Sequence, residues 1–346
     1  MTNQTRAVIA RGARDLVINE VAVPELGPDD VLVRVQTGGI CGSDLHYYNH
    51  GGFGTVRIKS PMVLGHEAAG DVVACGSAVN EIRPSDRVAI NPSLPCGKCS
   101  RCRRGEINHC SDMRFMGSAM RTPHVHGAFR DLLVCKASQV HRIPVSMSYG
   151  TAALAEPTAV CLHALSRAGS LVGKRVLVTG AGPIGLILVS ASRLAGAAHI
   201  AVTDRLTAPL KTALEIGADR AINVGGEEEL APGPGDQPYD VHFEASGNGQ
   251  ALLAGIAALS PLGCSVLVGQ GAVVNLQVSS LVTTETQLLG SFRFGEEFAT
   301  AIDYIASGRL PVASLISATL PAADALAAFE LANDKSQSIK VQIDFS

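Results

Sequence analysis

Four cysteines, Cys96, Cys99, Cys102 and Cys110, follow one another as Cys-x2-Cys-x2-Cys-x7-Cys inside one short segment rich in glycine and charge. Thiolates at this spacing can surround one Zn²⁺ tetrahedrally and leave no open coordination position, the pattern of a structural site rather than a catalytic one. A disulfide or a redox Cys-x2-Cys pair would use only two sulfurs, so two overlapping steps with a fourth sulfur nearby favour zinc. A nucleic-acid zinc ribbon would carry the same cluster in a basic domain. This chain has 28 Lys plus Arg against 31 Asp plus Glu, a net charge of −3. Neither nucleic acid nor an anionic membrane is therefore an expected partner, and a small molecule is.

At 346 residues the chain exceeds one ordinary core and is expected to form two domains. The N-terminal MTNQTRAVIARGARD lacks the apolar core of a signal peptide, and no 18-residue apolar run free of charge appears later. A cytoplasmic location follows as an expectation, with Cys75, Cys135, Cys161 and Cys264 as reduced thiols outside the metal sites. Residues 1–152 hold short, strand-length apolar pieces such as VLVRVQ, GDVVACG and DRVAIN, with the cysteine lobe at about residues 91–112. From 153 to 293, Ala- and Leu-rich stretches alternate with tight apolar runs, the signature of βα units feeding a parallel sheet. Six such runs, at 175–180, 199–204, 220–224, 240–245, 264–269 and 287–292, predict a doubly wound domain. Residues 294–346 return to the texture of the first domain. The predicted class is α/β, a Rossmann sheet inserted in a mainly-β domain. The acidic, Pro/Gly-rich stretch 225–238 reads as an exposed loop.

Directly after the run RVLVT, the chain reads G-A-G-P-I-G, with Gly180, Gly182, Pro183, Ile184 and Gly185, and then enters the apolar helical stretch LILVSASRLAG. The first glycine permits the tight turn, the second lets backbone approach a pyrophosphate, and the third lets helix pack on strand. Asp204 lies 19 residues past Gly185, at the end of the next predicted strand. A carboxylate there bonds a ribose 2′-hydroxyl and repels a 2′-phosphate, which favours NAD. The neighbouring Arg205 leaves NADP open, because a guanidinium can accept that phosphate.

A thiolate, an imidazole and a carboxylate come from two further segments: Cys41 in GGICGSDLHYY, and His66 with Glu67 in GHEAAG. Together they suit a second zinc that keeps a position open, where it acts as a Lewis acid on a bound hydroxyl.

GGICGSDLHYY, GHEAAG, the cysteine lobe, AEPTAV, VTGAGPIG, FEASG and SFRF together span the chain, and in them it resembles the zinc-dependent medium-chain dehydrogenases. It is most similar to their polyol and sugar-acid branch, and AINPSLPCGKC, DMRFMGSAM and TPHVHGAF point to the sugar-acid side. The resemblance implies a GroES-like catalytic domain wrapped in sequence around a Rossmann domain, a homotetramer, two zinc ions per chain and oxidation of a secondary alcohol by NAD. It implies Cys41, His66, Glu67 and Glu156 at the catalytic zinc, and Cys96, Cys99, Cys102 and Cys110 at the structural one. Ser43 and His46 take catalytic roles by the same resemblance, Ser43 as the start of a proton path. Tyr47 and Arg293 are implied substrate contacts. Ile184, Asp204, Val268, Gly269, Gln270, Ser291, Phe292 and Arg293 are implied cofactor contacts. Arg114, in the segment that distinguishes the sugar-acid side, is a candidate partner for a substrate carboxylate. The alternatives of another class are a dinucleotide-binding protein without activity, which would be expected to have lost zinc ligands, and polyol or threonine oxidation within the same chemistry.

Overall fold

The computed structural model describes residues 4–226, 237–271 and 273–346; most of the acidic stretch 225–238 lies outside them. The strand Asp30–Gly39 organises the first unit, because it is long enough to serve several partners. Glu67–Cys75 runs antiparallel along one edge, while the other edge is shared by Leu132–Lys136 and Lys340–Asp344. Arg87–Ile90 and Val140–Arg142 extend the sheet on one side, and Ile316–Pro321 extends it on the other, giving seven strands. The last strands of the chain thus complete a sheet begun near its start. A smaller sheet places Gln4–Gly12 between Asp15–Ala22 and Met62–Val63. Val33, Met62, Phe129, Phe329 and Phe345 belong to one continuous core, which the helices Gly42–His50 and Ala325–Asn333 help to cover.

The second unit is a six-stranded sheet in the order Arg220–Asn223, His199–Asp204, Arg175–Thr179, Tyr239–Glu244, Leu259–Leu267, Gln287–Gly290. Every neighbouring pair is parallel. The inner strands are largely buried and read as apolar runs, as strands covered on both faces must, whereas the edge strands Arg220–Asn223 and Gln287–Gly290 are more exposed. The order reverses between Arg175–Thr179 and Tyr239–Glu244, whose C-terminal residues Thr179 and Glu244 are register partners. Ligands of doubly wound sheets bind outside such a switch point. All six predicted strands are present; Leu259–Leu267 begins earlier than predicted, because Leu259 pairs with Tyr239 across an irregular register despite Pro261.

The first unit comprises the chain up to Glu156, Phe298–Ala306 and Val312–Ser346; the second is Pro157–Glu297 with Ser307–Pro311. Among the described residues no helix is long and apolar enough to cross a membrane. All nine cysteines are unpaired; Cys135, Cys161 and Cys264 are buried and Cys75 is half-buried.

Candidate active site

Gly39, at the end of the long strand, is the register partner of Glu67 at the start of the neighbouring one. Two residues beyond Gly39 the chain enters the helix Gly42–His50 with Cys41 at its N-cap. The pairing therefore brings two segments together: the Cys41 sulfur, an imidazole nitrogen of His66 and a carboxylate oxygen of Glu67 all lie within 4.8 Å of one another. Glu156 is buried in the first turn of the helix Ala155–Ala168 and acts electrostatically on His66, but it is not one of that trio.

Two further residues complete the arrangement, and the sequence reading passed over both. Asp44 is fully buried; it accepts from the Cys41 N–H at 3.0 Å and from the Gly65 N–H at 3.1 Å, and it lies 3.8 Å from His66 Nδ1. It ties the two ligand-bearing segments together. Its position three residues after an N-cap was a legible signal. Lys340, on the last strand, donates to both oxygens of Glu67 at 2.7 Å and to the Ile40 carbonyl at 3.2 Å. No local signal could have found it.

Burial by itself would lower the His66 pKa, yet Asp44, the Cys41 thiol and Glu156 outweigh it and hold the imidazole well above its ordinary value. An excess of anionic groups around one imidazole, with sulfur, nitrogen and oxygen donors converging, fits a divalent cation with mixed ligands.

The cysteine lobe also fits its metal. Cys99 Sγ lies 3.5 Å from Cys102 Sγ and 4.0 Å from Cys110 Sγ. A zinc tetrahedron with 2.3 Å bonds has edges of about 3.8 Å. Backbone N–H groups of Cys96, Cys102 and Asp112 donate to these sulfurs, which favours thiolate. The Cys99 thiol is pulled down to about 5, chiefly by backbone donors.

In the second unit the three motif glycines differ in kind. Gly180 has φ +95°, Gly182 faces open space, and a Cβ on Gly185 would stand 1.7 Å from the Gly180 carbonyl oxygen. Gly182 caps the helix Pro183–Leu194, so the open space is at a helix N-terminus, where a phosphate is stabilised. The Ile184 carbonyl accepts from the Cys161 thiol at 3.4 Å. Asp204 accepts from the Ala181 N–H at 2.7 Å and the Leu206 N–H at 2.9 Å, which fixes the glycine turn and leaves lone pairs for ribose hydroxyls; Arg205 beside it is exposed. Val268 and Gly269 both donate to the Glu244 carbonyl at 2.9 Å, and Gln270 is exposed just beyond. The Ser291 hydroxyl is buried without a partner. Arg293 is held at φ +54° with its guanidinium 4.8 Å from the Phe292 ring centroid. An orphaned hydroxyl and a left-handed arginine at the C-terminal end of the sheet are features that a bound dinucleotide would account for.

Residues 27–145 match the alcohol dehydrogenase GroES-like domain and residues 183–307 the zinc-binding dehydrogenase domain. Over 346 residues, all of both proteins, the chain is 39% identical to L-idonate 5-dehydrogenase (NAD(P)(+)) of Escherichia coli strain K12. The chain belongs to the zinc-dependent medium-chain dehydrogenases. It falls in their polyol and sugar-acid branch, and sorbitol dehydrogenase of Bacillus subtilis strain 168 is 35% identical over 90% of this chain and 89% of that protein. The crystal structure of the E. coli L-idonate 5-dehydrogenase superposes with a TM-score of 0.93 at 38% identity, covering 99% of this chain and 98% of that one. A zinc-binding dehydrogenase from Sinorhizobium meliloti 1021, solved with NADP, gives 0.88 at 30% identity over 99% of each chain.

Within this zinc-dependent dehydrogenase, Ser43 and His46 sit three residues apart on one helix, Ser43 half-buried and His46 exposed. Burial, then His50, lowers the His46 pKa. Tyr47 is 2% exposed, and its hydroxyl accepts from the Ala119 N–H at 2.9 Å. Phe115 packs against His66, 5.5 Å between ring centroids, whereas Arg114, its neighbour on the same two-residue strand, is exposed and acts on Asp112. Successive side chains of a strand point to opposite faces, so Arg114 is turned away from the face that meets His66.

Proposed function

We propose that this dehydrogenase oxidises the C5 hydroxyl of L-idonate to 5-keto-D-gluconate. The observation that carries the reading is full-length similarity to an L-idonate 5-dehydrogenase. Zinc would supply Lewis acidity to a hydroxyl at the open position of the Cys41–His66 site, and the dinucleotide would take up hydride.

The chain's own residues do the rest. Cys41 and His66 hold the metal, and Asp44 holds both of their segments. Glu67, whose oxygens both accept from Lys340, and Glu156 are the carboxylates assigned to the metal, Glu156 directly or through water. The substrate proton leaves through Ser43 to His46; residues three apart are neighbours on a helix, and the lowered pKa of His46 keeps its imidazole neutral to receive it. Tyr47 is assigned to the substrate, and Arg293 to the nicotinamide ribose and the substrate. Gly180, Gly182, Gly185 and Asp204 hold NAD, and the exposed Arg205 admits NADP as well. Two zinc ions per chain are assigned, one in each ligand cluster.

Homotetramer assembly in the cytoplasm is part of the same reading. In its support, Gln287–Gly290 is a largely exposed sheet edge, Val278 and Val282 are 62% and 71% exposed beside it, and all nine cysteines are unpaired.

A neutral polyol is the second reading, favoured by the sorbitol dehydrogenases at 33 to 36% identity. Initial rates with L-idonate, sorbitol, xylitol and L-threonine, followed through reduced nicotinamide, decide between them. Preference for sorbitol or xylitol overturns the sugar-acid assignment.

A further inference from the structure

Gly127, Ala128 and Phe129 are laced to the chain just before His66: their N–H groups donate to the carbonyls of Val63, Gly65 and Leu64 at 2.7, 2.8 and 2.9 Å. Phe129 turns into the core, against Phe329 and Phe345. Arg130 follows and is only 6% exposed. Its Nε donates to the Gly127 carbonyl at 3.0 Å, which folds the guanidinium back over the turn. Among the described residues nothing bonds its two terminal nitrogens, and no carboxylate stands within ion-pair distance of them. The adjacent Asp131 does not neutralise it, because that carboxylate is held by Arg6 at 2.9 Å. Burial is the one cause acting on the Arg130 pKa and pulls it from 12.5 to about 10, with no anion to offset it.

His126 stands on the same turn and is exposed. Its Nδ1 accepts from the Val63 N–H at 3.2 Å. An imidazole that accepts at Nδ1 carries its proton on Nε2, so His126 offers a donor on the side away from Val63. His124 offers none, since its Nε2 accepts from the Lys59 N–H at 2.8 Å and its Nδ1 meets the Arg121 carbonyl at 2.7 Å. The free nitrogens of Arg130 are reachable: Arg130 is not among the described residues with a side-chain nitrogen both closed to solvent and unpaired. One short turn thus holds a nearly buried cation and a neighbouring imidazole donor, neither with an acceptor. A buried charge of this kind is costly until an anion pairs with it.

We propose that Arg130 and His126 form a binding site for a phosphate group, using none of the zinc or dinucleotide residues. The terminal nitrogens of a guanidinium present a planar fork to two oxygens of an oxyanion, and Arg is suited to phosphate for that reason. The His126 Nε2–H supplies a donor outside that fork, which a tetrahedral phosphate can meet with a third oxygen and a carboxylate, having two, cannot. The narrow exposure of Arg130 suits a small oxyanion or the single phosphate of a phosphomonoester. Occupancy would fix the turn, and through the three backbone bonds to Val63, Leu64 and Gly65 it would steady the segment that ends in His66. A ligand held by the folded chain alone also raises its stability.

The test is calorimetric titration of the zinc-loaded enzyme with inorganic phosphate and with glucose 6-phosphate, in saturating NAD so that the glycine turn is already filled. Sodium chloride at matched ionic strength is the control. The expected result is saturable binding with a Kd on the order of 1 mM, absent with chloride. Arg130→Gln places an amide nitrogen where the arginine Nε donates to Gly127 and removes the fork and its charge; the Kd should rise about tenfold or more. His126→Asn keeps an acceptor for the Val63 N–H and removes the outward donor; the Kd should rise about threefold to tenfold. If Arg130→Gln does not fold, His126→Asn decides alone. Tighter binding of glucose 6-phosphate assigns the site to a phosphomonoester, and tighter binding of inorganic phosphate to the free ion. No binding by wild type, an equal response to chloride, or a Kd unchanged in the folded variants overturns the proposal.

Discussion

Glu67 and Lys340 meet through both carboxylate oxygens, each 2.7 Å from the ammonium, with the two side chains 0% and 2% exposed. Removing one member of such a pair is costly because the other charge stays buried without compensation. Lys340→Met should destabilise the protein by about 3–5 kcal/mol in urea unfolding, with loss of activity. Burial lowers the Lys340 pKa, but Glu67 and Cys41 outweigh it and raise it above 10.5. A raised lysine contributes its full stability below the unfolded value and loses it only as pH rises through the folded one. The pair should therefore be insensitive to pH from neutrality up to that range, which a series of unfolding curves at increasing pH would check.

Metal analysis should find two zinc ions per chain. Cys99→Ser removes one sulfur from a closed four-sulfur set, so one zinc should remain, with a lowered melting temperature. Retention of both ions in this variant would place the second zinc outside the lobe.

Gly182 and Gly185 should respond in opposite ways to a single methyl group. A Cβ at Gly182 meets nothing, whereas one at Gly185 would collide with the Gly180 carbonyl. Gly182→Ala should leave stability within about 0.5 kcal/mol and weaken NAD binding by about tenfold or more. Gly185→Ala should fail in folding. Fluorescence titration of NADH together with thermal unfolding separates these effects.

His242 is fully buried on the central strand Tyr239–Glu244, between the hydroxyls of Thr179 and Ser265, each 2.9 Å from a ring nitrogen. Burial pulls its pKa from 6.5 to about 3. The unfolded chain therefore binds a proton over this window that the folded chain refuses. Its stabilising contribution is complete above pH 6.5 and is lost as pH falls toward 3. Below the unfolded value, stability should fall by as much as about 1.4 kcal/mol per pH unit from this residue. His242→Gln, compared by urea unfolding at pH 7 and pH 5, should show a correspondingly smaller pH dependence.

Reading the chain alone was enough to assign the α/β class and the six parallel strands and to single out the residues of both candidate metal clusters, because the segments that carry them are legible one by one. A cysteine every third residue, glycines at fixed offsets after an apolar run, and a histidine followed by glutamate carry their chemistry in short segments. What the tertiary structure decided concerns charge in buried places. Lys340 reaches Glu67 across 273 residues, and Asp44 joins Cys41 to Gly65 only because two strands lie in register. Arg114 is a plausible carboxylate partner by position in the sequence, but strand alternation turns Phe115 toward His66 and Arg114 away. Metal-ligand identity is a property of residue type and spacing, whereas compensation of a buried charge depends on which distant segments the core brings into contact, and no local pattern encodes that.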